Sequence, residues 1–240
     1  MDGNSQVSNS PLVEPSCTNL GFAHSVSYRL YSAFGLSHVS LMSSDLLHWL
    51  MALTMGYLAG SIPFGLLLAR AFGQGDIRQI GSGNIGATNV LRTGRKDIAA
   101  ITLILDAAKA GLTGWIIQNW LGLPYGYIAA TAALIGHCYP VWLSFKGGKG
   151  VATFFGALFA LVWPIGILAA IIWLAVAFIF RYSSLGALIA CIICTIAAII
   201  FMNIGAAAMV GIMSAIILWR HRENIDRLRR GEESKIGKKG

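Results

Sequence analysis

The chain has 240 residues, 56% of them hydrophobic and only 12% charged, with a formal net charge of +8. A soluble domain carries roughly twice that charged fraction, so the composition excludes a soluble globular fold and predicts an integral membrane domain. No folded basic surface or run of stacking aromatics accompanies the positive charge, which excludes nucleic acid as the partner.

Residues 1–45 are rich in Ser and lack a continuous apolar run, so they read as a disordered extension with no secretory signal. Met42 opens a compact alternative start just before the first apolar run. From there apolar segments run over 46–69, 98–120, 125–145, 151–163, 164–180, 185–202 and 204–219. They predict an all-α membrane domain over 46–219 with about seven transmembrane helices, several near the lower limit of roughly 17–20 residues. A basic tail, 220–240, follows. The break at Trp163-Pro164 fits either a tight turn or a kink.

Among the connections between these segments, Lys and Arg fall only in alternate ones, 70–96, 146–149 and 181, and then in the tail. The positive-inside rule makes that side cytoplasmic, with the N-terminus outside and the C-terminus inside. The tail is also suited to anionic lipid headgroups.

Within the first segment, GSIPFG (60–65) reads as a kinked packing helix, with a site-lining role left open. The next connection carries Gly81-Ser82-Gly83-Asn84, then Asn89 and Arg92. Consecutive glycines allow backbone donors to crowd an anion, and a helix starting nearby would add its dipole. The terminal Gly-Lys-Ser/Thr of a P-loop is missing. In the second segment Asp106 and Lys109 share a helix face and predict an internal ion pair that holds the site, with Asp106 as a direct catalytic carboxylate the second reading.

His137, in the third segment, is a membrane histidine: a functional candidate or a satisfied packing residue. Lys146-Gly147-Gly148-Lys149-Gly150 is the second anion signal, with Lys149 adjoining a helix start. Cys191 and Cys194 sit one turn apart in an apolar span and read as packing residues; no third or fourth ligand has metal-site spacing. At the last span's end His221 and Asn224 are i, i+3 neighbours able to face the bundle mouth. His221 and Asp226 match a His-x4-Asp acyltransferase pattern, but five residues turn the two side chains well over 90° apart, so that match reads as chance.

Together GSIPFG, GSGNIGATNVLR, LDAAKAG, GHCYPVWLSFKGGKGVATFFG and HRENIDRLRRGEE resemble the bacterial acyl-phosphate:glycerol-3-phosphate acyltransferase (PlsY) family over about 45–235. One departure is Ala110, where the family usually has Gly directly after Lys. The resemblance implies transfer of a fatty acyl group from acyl phosphate to the 1-hydroxyl of glycerol 3-phosphate. Lysophosphatidic acid and phosphate would be the products, in phospholipid biosynthesis at the bacterial cytoplasmic (inner) membrane. It implies no cofactor, membrane lipid as surroundings, and a partner enzyme that supplies acyl phosphate.

On this reading Gly81, Ser82, Gly83 and Asn84 hold the acyl-phosphate headgroup. Arg92, Lys149, His221 and Asn224 hold glycerol 3-phosphate, with Asn89 beside them and Ser184 a weaker member. The proton acceptor is His221, His137 or a substrate phosphate oxygen, the last favoured because its pKa lies near the working range. Two competing classes remain: a phospho-metabolite transporter, disfavoured by the lack of an internal repeat, and an acyl-CoA-dependent transferase.

Overall fold

The computed structural model describes residues 38–81 and 83–237, with side chains from Asp45 onward. Contacts divide the chain after Leu46, and the bundle belongs to the second unit, Leu47–Gly240. The described residues are all-α, in the order α1 (His38–Gly60), α2 (Phe64–Ala71), α3 (Ala87–Val90), α4 (Lys96–Leu121), α5 (Leu123–Cys138), α6 (Val151–Leu161), α7 (Trp163–Phe180), α8 (Ser183–Phe201), α9 (Ile204–Arg220) and α10 (Arg222–Arg229).

Among the described residues, four stretches are long and apolar enough to cross a bilayer: Asp45–Ala71, Lys96–Leu121, Trp163–Phe180 and Ser183–Phe201. α9 and α10 qualify only as a pair bent by 58°, while α6 has 11 residues and α5 has 16. Large apolar side chains point outward, among them Phe178 (88% exposed), Ile204 (87%) and Phe201 (74%). That surface suits hydrocarbon rather than water.

Proline and glycine set where the apolar runs break. The first run is interrupted at Ser61–Pro63, because Pro63 has no N–H to give and its ring crowds the preceding turn. The carbonyls exposed there are not left bare: Trp142 Nε1 donates to Ser61 O (2.6 Å) and Lys109 Nζ to Ile62 O (3.0 Å). The 125–145 run is helical only to Cys138, and Pro140 opens a loop that carries the second glycine motif. The break near Trp163-Pro164 is a tight turn at Val162. A Cβ on Gly166 would lie 3.0 Å from the Phe159 backbone nitrogen, whereas seven residues along one helix span about 10 Å.

Apolar side chains gain little from association in lipid, so close backbone approach through small residues must hold the helices together. α4 is the central helix, packing on both α5 and α6. A Cβ on Gly156 of α6 would come 1.9 Å from Ala107 O of α4, and one on Gly60 of α1 would come 2.0 Å from Ala133 O of α5. Gly60 of GSIPFG is therefore a helix-contact residue. The antiparallel arrangement brings the connections 81–95, 140–150 and 181–184 to the same end of the bundle as the tail, as contacts from Arg92, Lys149 and Arg181 to residues beyond 220 show.

Candidate active site

The first glycine loop turns sharply: Gly81 and Gly83 have φ of +56° and +68°, a region that glycine enters without cost. Ser82 lies outside the described residues. The Gly83 N–H donates to Ile80 O (3.0 Å), and Asn84 Oδ1 accepts from the Gly86 N–H (3.0 Å), making an Asx turn into α3. The helix expected here is only the four residues of α3, followed by a 3-10 turn over Leu91–Thr93. One turn does not sum a useful dipole.

Asn89 is buried, donating from Nδ2 to Ile77 O (2.7 Å) and accepting at Oδ1 from Arg92 Nη1 (3.3 Å). It braces Arg92 instead of facing outward. A Cβ on Gly81 would strike Arg92 Cδ and Nη1 at 2.7 Å, so glycine is what allows the loop to pass the guanidinium. Arg92 also reaches the tail, donating from Nη2 to Ser234 Oγ (3.2 Å).

The second loop leaves α5 through a 3-10 turn, Val141–Leu143, and two left-handed residues, Ser144 and Phe145. It then folds back under α5. The Gly147 and Gly148 N–H groups donate to Cys138 O (3.1 Å) and His137 O (3.0 Å). Side chains here are excluded, since a Cβ on Gly147 would meet His137 O at 2.2 Å and one on Gly148 would meet His137 Nε2 at 2.0 Å. These glycines serve packing, and their backbone donors are occupied. The loop's offering to a ligand is Lys149, half-buried at the start of α6, with Nζ donating to Asn224 Oδ1. Burial and the Arg227 charge push the Lys149 pKa down, against the pull of Glu223 and Glu233. Lys146 is exposed.

Ser184 is joined to Asn224 through a residue that sequence reasoning missed. Glu233 accepts from Ser184 Oγ (2.6 Å) and Asn224 Nδ2 (2.6 Å) at Oε1 and from Arg227 Nε (2.7 Å) at Oε2. Burial opposes its ionisation, but the three hydrogen bonds outweigh it and hold the carboxyl below the usual range. The available signal was an acidic pair, Glu232-Glu233, after a glycine inside an otherwise basic tail. His221 is buried at the α9–α10 bend. Its Nδ1 lies 2.8 Å from Ile217 O, and a carbonyl can only accept, so the proton sits on Nδ1 and the neutral ring keeps its lone pair on Nε2.

A second polar group lies within the helices. Lys109 Nζ is 2.9 Å from Asp106 Oδ1, and His137 Nδ1 is 3.6 Å from the same oxygen. The pair ties α4 to the α1–α2 break through Ile62 O. His137 is buried and enclosed between Asp106 and Gly148.

The tail thus straps the bundle end. Beyond Glu233, the Ile236 N–H donates to Arg181 O (2.7 Å) and Arg181 Nη2 to Ile236 O (2.9 Å). Because the folded pKa of Glu233 lies below its ordinary 4.5, its stabilisation is complete above that value and disappears as pH falls through the folded one. The protection of the Ile236 amide, measured against its intrinsic exchange at each pH, should therefore fall under acid, and Glu233→Gln should show the low protection at neutral pH. A pH-independent protection factor at Ile236 would refute the latch.

Residues 50–231 match the family model described as glycerol-3-phosphate acyltransferase. A glycerol-3-phosphate acyltransferase of Maricaulis maris is 55% identical over 196 residues, covering 82% of this chain and 91% of the relative. One from Rhizobium etli is 52% identical over 206 residues, covering 83% and 100%. Among solved structures, PlsY, an integral membrane glycerol 3-phosphate acyltransferase in its glycerol 3-phosphate form, superposes with a TM-score of 0.75 at 35% identity, covering 79% of this chain and 96% of that one. Its lysophosphatidic acid form gives a TM-score of 0.73 at 34% identity, covering 79% and 95%.

Proposed function

Since the chain belongs to the glycerol-3-phosphate acyltransferase family, an integral membrane enzyme family, we propose that its acyl donor is acyl phosphate. Lysophosphatidic acid and inorganic phosphate are then the products. The observation that carries this reading is the polar cluster at one end of the apolar bundle, where Ser184, Asn224 and Arg227 converge on one anion-sized position and Lys149 joins it through Asn224. Glu233 occupies that position as an organiser, neutralised by Arg227. Lys149, half-buried and hydrogen-bonded to a neutral amide, is left as the cation for a substrate phosphate, with Arg92 across the tail from it. The relative's glycerol 3-phosphate and lysophosphatidic acid forms support the same two ligands here.

The polar heads would lie at this end and the acyl chain among the outward apolar side chains. Gly81, Gly83 and Asn84 border the acyl-phosphate headgroup, while Lys149, Asn224 and His221 take glycerol 3-phosphate. The 1-hydroxyl attacks the acyl carbon, the bond from that carbon to the phosphate oxygen breaks, and the hydroxyl proton ends on the departing phosphate. No acyl-enzyme is formed; positioning and charge carry the catalysis. A substrate phosphate oxygen serves as base, with His221 Nε2 the protein group best suited to assist. The enclosure of His137 argues for a supporting role.

The basic connections support a cytoplasmic position for this end, at the bacterial inner membrane. With purified protein, phosphate release should require both acyl phosphate and glycerol 3-phosphate. Release supported by acyl-CoA instead, or vesicle uptake of glycerol 3-phosphate without chemistry, would overturn the proposal.

A further inference from the structure

Arg220 ends α9 immediately before the bend, and its guanidinium is turned away from the tail. It donates from Nε to Gly148 O (3.1 Å) and from Nη2 to Gly147 O (2.9 Å), and it lies over the Tyr139 ring at 5.1 Å. The amides of the same two glycines are bonded to Cys138 and His137. Each polar backbone group of Gly147-Gly148 is thus fastened, the amides to α5 and the carbonyls to α9.

We propose that Arg220 is a positioning residue for substrate binding, stapling the glycine loop so that Lys149 is presented to the site beside Asn224. The inference rests on the reading that Lys149 holds the glycerol 3-phosphate phosphate. Three observations support it. The loop has no helical ladder of its own between Leu143 and Val151, so its carbonyls need donors from elsewhere. Glycines cannot hold the loop through side chains, and the enclosing surface of His137 forbids any larger residue. Only a planar fork both bridges two adjacent carbonyls and stacks on an aromatic face, which sets Arg apart from Lys at this position.

Two roles are separable. If Arg220 bound phosphate itself, Lys would serve almost as well, since a point charge suffices for that. If it staples the loop, Arg220→Lys should fail nearly as badly as Arg220→Gln. Both variants are expected to raise KM for glycerol 3-phosphate by about tenfold or more, for the loss of charged hydrogen bonds, while kcat and KM for the acyl donor change less than about threefold. Amide exchange at Gly147 and Gly148 should quicken in Arg220→Lys, with the α6 amides beyond Thr153 unchanged. Tyr139→Leu keeps the arginine and should shift KM in the same direction by less, adding little on top of Arg220→Lys.

Lys149→Ala is the reference. A wild-type KM for glycerol 3-phosphate in Lys149→Ala would sink the substrate assignment and this inference with it. A raised KM in Lys149→Ala, with wild-type KM and loop exchange in Arg220→Lys, would sink the staple alone. Full rescue of Arg220→Gln by Arg220→Lys would likewise overturn it. Should Arg220→Lys not fold, Tyr139→Leu decides, and a wild-type KM with unchanged loop exchange there counts against the proposal.

Discussion

Lys149→Ala is expected to lower kcat/KM for glycerol 3-phosphate by about 30- to 1000-fold, corresponding to roughly 2–4 kcal/mol for a desolvated charge facing an anion. Lys149 is half-buried and donates to Asn224, whose other amide atom is held by Glu233. The ammonium is therefore aimed before substrate arrives, and no rotamer freedom remains to be lost on binding. Removal should fall mainly on KM for glycerol 3-phosphate, with the acyl donor bound as before. Folding should survive, because the loop is held by its backbone contacts to His137, Cys138 and Arg220. Steady-state kinetics with each substrate varied in turn checks this. A loss confined to the acyl donor's KM would reassign Lys149 to the other headgroup.

Asp106→Ala should have the largest effect on stability. Asp106 and Lys109 are each 3% exposed at the side chain and 2.9 Å apart, so solvent screens them little. Removing the carboxylate leaves the Lys109 charge among apolar helices, which costs about 3–5 kcal/mol. Lys109 cannot swing to the surface without abandoning Ile62 O at the Pro63 break. Replacing both partners, Asp106→Leu with Lys109→Leu, should recover most of the loss, because no buried charge then remains. What persists reports the unbonded Ile62 carbonyl. Thermal unfolding in detergent gives the comparison. A double variant no more stable than Asp106→Ala would mean that the charges have a structural role beyond neutralising one another.

The broad architecture was legible because hydropathy is a local property. A chain this apolar, with basic residues in alternate connections, leaves few alternatives to a helical membrane bundle. Asp106 and Lys109 were also readable as a pair, since their three-residue spacing within one helix places them together. The glycine motifs carry a structural reason that their sequence did not suggest. Both read as backbone cradles for anions, whereas Gly83, Gly147 and Gly148 direct their N–H groups into the chain, and the last two are glycine because His137 lies against them.

What sequence alone determined, then, is where the chain enters the apolar phase, where Pro63 and Pro140 stop its helices, and which loops carry cations. Tertiary structure decided which partners those cations meet. Arg92 meets Ser234 across 142 residues, Ser184 meets Glu233 across 49, and Arg220 meets Gly147 across 73. Glu233 looked like part of a solvated tail until the tail doubled back. Whether an arginine binds a ligand or braces a loop depends on what stands within about 3 Å of its guanidinium, and spacing along the chain carries no information about that once the partners lie on different helices.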